Sequence, residues 1–408
     1  MKLDNNINTL IVSTDNKKVI SIIYKIKCGF NNEYKGINNY THLLEHLIAT
    51  YLNTEQCSIE AVRKHTKKKI LNTNAYTAYN EVCFWIECYY KDADFFIDLM
   101  SRSLFDLCIT TENLNMAKKN VIKELEQSED VYLMNDINTF FYKRKKVSFK
   151  YGIEDVKSAT INKIESFYKK VLSKEIIIGV SCHSTYKNKI NKLIVKHFNK
   201  PIINVKDTLP NSFKGYYPKQ NIIVKHYKPI KSIEVFIIIP IRLITNTKEY
   251  YGLKIALDYL FSFDHGEMYE VLRNNKKIIY GIKYEINIDE IDSNRSYITI
   301  KSYCQKEDLN EFLRLFYEIL NNFKINEEMF KQYKENILFK MDYNYMNDLD
   351  DYLNYYMDCI FYNTKIIKYI PKFVRTVEYK DTIKILKTFK TKKHFVFLYN
   401  KSYKKQKD

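Results

Sequence analysis

The stretch NNYTHLLEHLIATYL, residues 38–52, places His42, Glu45 and His46 inside an otherwise apolar run. On a helix, residues four apart project from one face, so the two imidazoles can bind the same ion. Two histidines and one further ligand form the protein part of a catalytic zinc site, which leaves a position for water. A glutamate beside that water can accept its proton. The stretch therefore predicts a helix that carries a metal-dependent hydrolase site.

The order His-x-x-Glu-His reverses the His-Glu-x-x-His order of other zinc peptidases and is the inverzincin motif. Each histidine alone would more often be a surface or a satisfied core side chain, but the pair together with the glutamate indicates a metal. The third ligand must come from another segment. A stretch that starts at Thr110 has the composition of a long helix and carries Glu124 and Glu126 within VIKELE. The helix pattern does not decide which of the two glutamates is the third ligand, and most glutamates on such a helix are solvated.

The chain divides into two halves of similar order. Three of the six prolines, Pro201, Pro210 and Pro218, fall in one stretch without a helical period, which predicts an exposed linker over 201–218. On either side, a strand-rich opening is followed by a helix, further strands and an amphipathic helix. The order predicts an α+β fold with two homologous domains, each a mostly antiparallel sheet with helices packed on one face. We expect a metal-bearing domain over 1–200 and a second domain without metal over 219–408.

Composition narrows the possible functions. With 408 residues and 46% hydrophobic content the chain can bury two cores. No apolar run reaches the roughly 18 residues of a membrane span, and the polar start lacks a signal-peptide segment, so we expect a cytoplasmic protein without a membrane partner. The eight cysteines contain no Cys-x-x-Cys pair, which favours reduced thiols. The net charge of +18 lies in short lysine clusters without a nucleic-acid-binding motif, so we expect no nucleic-acid partner.

The motifs together resemble the pitrilysin/insulinase metallopeptidases. In that family a glutamate in a Val-[Val/Ile]-x-Glu helix segment follows the His-x-x-Glu-His motif at a set spacing, and the stretch VIKE that ends at Glu124 matches it. The resemblance implies that His42, His46 and Glu124 bind one Zn²⁺ per chain. It also implies that Glu45 is the catalytic base. Ala117 stands where relatives frequently carry a further glutamate.

A strand motif extends the resemblance. The family carries an Asn-Ala-x-Thr strand whose edge pairs with the substrate backbone, and the similar residues here are Asn74, Ala75, Tyr76 and Thr77. The resemblance therefore implies that an extended peptide adds a strand at this edge, as in β-augmentation.

A further motif lies in the second half. LRNNKKIIYG resembles the family's Leu-Arg-x₆-Tyr motif, which implies that Arg273 and Tyr280 reach the substrate and the scissile carbonyl. Taken alone, they would be an arginine at a helix end and a core tyrosine. The second half has no metal motif of its own. If YGLKIALDYL is the counterpart of YTHLLEHLI, then Gly252, Ile255 and Ala256 replace the ligands and the base.

These observations predict a zinc-dependent metalloendopeptidase that cleaves extended peptides or unstructured protein segments. The alternative is a non-catalytic partner subunit of a related peptidase complex, although such subunits usually lose the metal motif. The length matches the half-size members of the family, which implies a homodimer or a heterodimer with a related chain. The poxvirus morphogenesis metalloproteinases carry the same HLLEH and a similar IKELE stretch, and a chain of that type would also occur in the virion.

Overall fold

The computed structural model describes residues 2–34, 36–50, 70–127, 131–142, 149–202, 216–226, 232–243, 245–262, 265–289, 291–347, 349–390 and 393–399. The chain forms two compact units. Unit 1 contains residues 1–131, 147–212 and 348–363, and unit 2 contains residues 132–146, 213–347 and 364–408. The predicted linker and domain boundaries treat each half as continuous, and the compact units differ from them because residues 132–146 and 348–363 each belong with the other half. Residues 203–215 of the predicted linker lie outside the described residues.

Strands and helices alternate along the first half. Its elements are β1 (Asn8–Thr14), β2 (Val19–Ile26), α1 (Tyr40–Thr50), β3 (Ile70–Thr77), β4 (Val82–Tyr89), α2 (Ala93–Phe105), α3 (Thr111–Gln127), α4 (Val131–Asp136), α5 (Phe149–Ser158), α6 (Ile161–Leu172), β5 (Ile176–His183) and α7 (Lys187–Phe198). Shorter turns are the 3₁₀ helices Phe30–Asn32, Tyr90–Asp92 and Ser184–Tyr186 and the π-helical turn Ile137–Phe141. The long helix predicted from Thr110 forms α3, and residues 128–130 lie outside the described part of the chain.

The second half repeats this order. Its elements are β6 (Ile222–His226), β7 (Ser232–Pro240), α8 (Lys248–Phe261), α9 (Glu267–Tyr269), β8 (Ile279–Asn287), β9 (Tyr297–Gln305), α10 (Leu309–Asn322), α11 (Glu327–Asn347), α12 (Leu349–Phe361), α13 (Ile370–Arg375), α14 (Tyr379–Lys390) and β10 (Phe395–Tyr399). A π-helical turn, Glu270–Asn275, and a 3₁₀ helix, Ser293–Arg295, complete it. Among the described helices, none is both long enough and apolar enough to cross a membrane.

The two sheets have the same topology. Unit 1 has the strand order β1-β5-β2-β4-β3, and unit 2 has the order β6-β10-β7-β9-β8. In each sheet one pair is parallel, β1 with β5 or β6 with β10, and the other pairs are antiparallel. The predicted α+β fold of two homologous, mostly antiparallel domains is therefore confirmed.

Both faces of the central strand β2 are buried. Alternate residues such as Ile22 and Tyr24 face the main core of unit 1, which includes α1, α2, α3, α6 and α7. Ile23 faces the opposite side and packs against Leu353 and Met357 of α12. Most helices of unit 1 thus cover one face, as predicted, and α12 is an addition that covers the other.

A buried carboxylate fixes the start of α1. Glu33 accepts hydrogen bonds from the backbone nitrogens of Asn39 and Thr41, at 2.7 and 2.8 Å. The first turn of a helix has free N–H groups and a partial positive charge, so a carboxylate there stabilises it. Asp155 of α5 accepts from the backbone nitrogens of Gly36 and Asn38, at 2.9 and 3.0 Å, and holds the preceding loop.

The fit of α12 on the sheet gives a test of packing. A Cβ on Gly179 of β5 would lie 2.2 Å from Sδ of Met357 and 3.0 Å from Cδ1 of Leu353. We predict that Gly179→Val lowers the free energy of unfolding by about 1–3 kcal/mol, because it overpacks this contact. Adding Met357→Ala should recover part of the loss by making room. Chemical denaturation followed by circular dichroism measures both, and a Gly179→Val protein as stable as the parent would contradict the packing.

Candidate metal centre

The packing of α1 determines which side chains it exposes. Its apolar stripe is buried in the core of unit 1 and consists of Leu43, Leu44, Leu47 and Ile48. This spacing of three and four residues is that of one helix face. His42 and His46 lie at the edge of the stripe, with side chains that are 16% and 15% exposed. The stripe therefore fixes the rotation of α1 and keeps both rings at the edge of the core.

The structure brings Glu124 of α3 to these two rings. The Nε2 atoms of His42 and His46 lie 3.1 and 3.3 Å from the same oxygen, Oε2 of Glu124, and 3.2 Å from each other. Glu126, the alternative on the same helix, is exposed and lines a lysine-rich surface groove. Thr110 precedes α3 and caps its first turn through reciprocal hydrogen bonds with Asn113. The burial of Leu114, Ala117 and Val121 in the core fixes the rotation of α3.

These three atoms have the spacing of zinc ligands. Zinc bonds of about 2.0–2.1 Å at tetrahedral angles separate neighbouring ligand atoms by about 3.3 Å. The three observed separations, 3.1, 3.2 and 3.3 Å, agree with this value. Two imidazoles and one carboxylate are also a donor set that zinc accepts in catalytic sites. The residues present therefore fit one zinc ion.

The surroundings of His42 keep its ring neutral. Burial and, to a lesser extent, the neighbouring His46 lower the pKa of His42 to about 4, although the carboxylate of Glu124 acts in the opposite direction. A neutral imidazole has a free lone pair, which is the form that binds a metal. Phe30 contacts the same ring edge-on, with 6.4 Å between the ring centroids. At neutral pH this ring does not have to lose a proton before it can act as a ligand.

Glu45 lies beside the metal ligands and is held by β3. The hydroxyl of Thr77 donates a hydrogen bond of 2.7 Å to Oε2 of Glu45. Burial raises the pKa of Glu45, and the hydrogen bond from Thr77 partly offsets that effect. A carboxylate with a raised pKa is a better proton acceptor than a solvated one. The hydroxyl also fixes one oxygen of the carboxylate, and among the described residues no group donates a hydrogen bond to the other oxygen.

The four residues of the strand motif divide between the two faces of β3. Ala75 packs against the main core and Thr77 reaches Glu45, whereas Asn74 and Tyr76 lie on alternate positions. The hydroxyl of Tyr76 donates to Glu81 at 2.6 Å. Among the described strands β3 pairs only with β4, so it is an edge strand.

A cavity of about 460 Å³ borders the same group of residues. Glu45, His46 and Glu124 lie on its wall together with Ala75 of β3. Its deeper lining includes Tyr24, whose hydroxyl lies 3.2 Å from that of Ser103. A side chain entering this cavity would therefore lie next to Glu45, His46 and Glu124.

Arg273 and Tyr280 contact each other in unit 2. The guanidinium of Arg273 lies over the ring of Tyr280, 5.0 Å from its centroid, and donates to the backbone oxygen of Ile279 at 3.3 Å. Tyr280 is 77% exposed, which excludes the alternative that it is a core tyrosine. The stacking keeps both side chains on one surface.

Sequence patterns gave no sign of several residues at or behind the site. The caps Glu33 and Asp155, the cavity residue Ser103 and the buried Glu81 carry no motif. One signal was available: Lys25 interrupts the apolar strand VISIIYKI, and a lysine in such a strand must have a buried partner. The structure shows two partners, Glu81, at 3.2 Å, and Asp358.

Comparison with protein families gives two matches in succession. Residues 9–150 match the insulinase (peptidase family M16) model, and this range contains α1, β3 and α3. Residues 158–337 match the peptidase M16 inactive domain, and this range contains Arg273 and Tyr280.

Individual relatives are distant. The mitochondrial core protein I of the ubiquinol-cytochrome-c reductase complex of Euglena gracilis is 25% identical over 117 residues, which is 28% of this chain and 23% of that protein. This chain thus spans less than a quarter of that relative. A protease from Helicobacter pylori has a TM-score of 0.79 at 15% identity, with 98% of both chains covered. The periplasmic protease PqqL from Escherichia coli has a TM-score of 0.73 at 12% identity, and all of this chain covers 48% of it.

At these identities the solved structures show a shared fold and nothing more. The two family models are more informative, because they describe successive domains of one family. Together they match most of the chain, in the same order as its two homologous domains. The chain therefore belongs to the insulinase (peptidase M16) family.

Proposed function

We propose that the protein is a zinc-dependent metalloendopeptidase that cleaves extended peptides or unstructured protein segments. The observation that carries the proposal is the convergence of His42, His46 and Glu124, with ligand atoms all within 4.8 Å of one another. Glu45 lies beside them and is held by Thr77. A peptidase needs a metal-ligand set and a base in this arrangement, whereas packing alone does not require two imidazoles and two carboxylates at one edge.

The chain's own residues divide the chemistry between them. His42, His46 and Glu124 would hold the ion, which would supply a Lewis acid that polarises the scissile carbonyl and lowers the pKa of water. Glu45 would accept the proton of the attacking water at its free carboxylate oxygen and then deliver it to the leaving nitrogen. Thr77 would keep Glu45 oriented during both transfers. Each residue thus has one task that its position supports.

The substrate would bind as an added strand. The edge of β3 that is not paired with any described strand offers backbone donors and acceptors, and the motif residues Asn74, Ala75, Tyr76 and Thr77 lie at the end of this strand. Strand addition requires an extended peptide, so folded proteins would not be substrates. Arg273 and Tyr280 would contact the same substrate and its scissile carbonyl, as the family resemblance implies.

A second candidate function is that of a non-catalytic subunit. Two observations favour it: the similar protein from Euglena gracilis is a core protein of the ubiquinol-cytochrome-c reductase complex, and residues 158–337 match the peptidase M16 inactive domain. The inactive-domain match falls on residues 158–337, outside the His-x-x-Glu-His helix, so it does not bear on the ligands. The retained ligand set favours the enzyme.

The predicted partners are a peptide and a second chain. The family resemblance implies that two pairs of such domains face each other around the substrate, and this chain contains one pair, so we propose a homodimer or a heterodimer with a related chain. Light scattering after gel filtration at micromolar concentration should give twice the chain mass, or reveal a bound related chain. A monomer that is fully active on peptides would contradict the dimer. The cytoplasmic location stays a prediction.

Metal content tests the ligand set. The purified protein should bind about one zinc per chain, and His42→Ala, His46→Ala and Glu124→Gln should each reduce the zinc content sharply, because each removes one of three ligands. Glu126→Gln is the matched control on the same helix and should keep the metal. Elemental analysis after dialysis measures both. Loss of zinc in Glu126→Gln with retention in Glu124→Gln would contradict the assignment.

Substitution of the base separates binding from chemistry. Glu45→Gln keeps the size of the side chain but cannot accept a proton, so zinc should remain at about one per chain while cleavage falls at least about 100-fold. Mass spectrometry of a peptide library, incubated with and without a chelator, measures the cleavage. Unchanged cleavage by Glu45→Gln would exclude Glu45 as the base, and a parent protein that binds zinc but cleaves nothing would favour the subunit function.

A further inference from the structure

A buried ionic network lies on the face of the unit 1 sheet that is opposite to α1. Lys25 of β2 is 1% exposed, and its ammonium group contacts Glu81, at 3.2 Å, and Asp358 of α12. Burial alone would lower the pKa of Lys25, but the carboxylates of Glu81 and Asp358 outweigh it and raise that pKa. A paired buried charge is costly to disrupt, because removing one partner leaves the other uncompensated. The network therefore fixes the position of its members.

Glu81 is the centre of this network. Its Oε1 accepts from Lys25 and from the hydroxyl of Tyr76, at 3.2 and 2.6 Å, and its Oε2 accepts from the hydroxyl of Tyr362 at 2.5 Å. Burial and the charge of Glu81 raise the pKa of Tyr362 well above its usual range, so its hydroxyl remains a donor. One carboxylate thus links the end of α12 directly to β3.

Apolar contacts hold α12 against the same face. Leu353, Met357 and Phe361 form a cluster with Ile23 and Ile177 of the sheet. The backbone oxygen of Phe361 also accepts from the ammonium group of Lys27, at 2.7 Å. The helix is therefore fixed independently of Glu81 and can act as a support for it.

The two faces of β3 connect this network to the candidate base. Tyr76 bonds to Glu81 on one face, and the next residue, Thr77, bonds to Glu45 on the other. Successive side chains of a strand point to opposite faces, so a shift of Tyr76 moves the hydroxyl of Thr77 with it. As an edge strand, β3 has a backbone partner on one side only among the described strands. A contact on the face opposite to α1, such as the bond from Tyr76 to Glu81, is therefore needed to fix the position of β3.

We propose that α12 is a positioning element for the catalytic site, and that Tyr362 and Glu81 hold β3 where Thr77 meets Glu45. The inference rests on the proposed peptidase function and adds to it Tyr362 and Glu81, which touch neither the metal ligands nor the substrate. It explains why a segment more than three hundred positions along the chain belongs with the metal-bearing unit. Tyr362 and Glu81 are positioning residues in this account, and Tyr76 of the substrate-binding strand connects them to β3.

The experiment uses the full chain and removes one hydroxyl at a time. Tyr362→Phe should lower kcat/KM for an internally quenched peptide about tenfold, because a small displacement of a reacting group is costly. In a Thr77→Val background the same change should lower kcat/KM less than about twofold, because Thr77→Val has already removed the hydrogen bond to Glu45. Zinc content should stay at the parent value in all of these proteins.

Hydrogen exchange supplies a readout that does not depend on activity. Backbone amides of residues 70–77 should exchange faster in Tyr362→Phe and in Tyr76→Phe than in the parent. Tyr356→Phe is the matched control, because it removes a hydroxyl from the same helix that bonds to Tyr352, at 2.6 Å. It should alter neither exchange in β3 nor cleavage.

Two results would overturn the inference. One is an equal loss of kcat/KM from Tyr362→Phe in the parent and Thr77→Val backgrounds, which would mean that α12 is only a stabilising cover. The other is unchanged exchange over residues 70–77 in both tyrosine variants. If the parent cleaves no peptide, the proposed peptidase function fails, and the exchange comparison alone then decides this inference.

Discussion

The burial of one face of α1 is the constraint on which the rest of the site depends. Its four apolar side chains, each worth about 1.5–3 kcal/mol when fully buried, fix the helix against the sheet and α3. Because the geometry of a helix relates the positions of all its residues, that packing also fixes the two histidines at the edge of the apolar face. Glu33 fixes where the helix begins. The ligand spacing is thus a consequence of core packing, and no separate device is needed to create it.

Local patterns were sufficient to predict the fold class and to single out His42 and His46 as a candidate pair of metal ligands. The three- and four-residue period of α1 and the apolar run of β2 are short-range patterns, which a sequence displays directly. The choice of Glu124 over Glu126 needed the family resemblance, because both lie on one helix. The place of α12 in unit 1 could not be predicted, because it depends on contacts between residues hundreds of positions apart. The same holds for the bond from Thr77 to Glu45, whose partners lie on different elements.

The two units show how one architecture supports different local chemistry. In unit 2 the counterpart of α1 is α8, in which Ile255 and Ala256 are fully buried. Gly252 of the same helix lies close to Thr382 of α14, where an added Cβ would be 3.1 Å from its hydroxyl oxygen. This face of α8 packs against another helix, whereas α1 carries histidines at its edge. In unit 1, Ala117 lies in the core, so α3 has an apolar contact where relatives often have a carboxylate.

The central claim is that His42, His46 and Glu124 bind one zinc ion. A crystal structure of the zinc-loaded protein, with anomalous differences recorded at the zinc edge, tests it most directly. The account predicts a single strong peak in unit 1, about 2.0–2.2 Å from Nε2 of both histidines and from a carboxylate oxygen of Glu124. A peak on other residues, or no peak at this site in protein saturated with zinc, would contradict it.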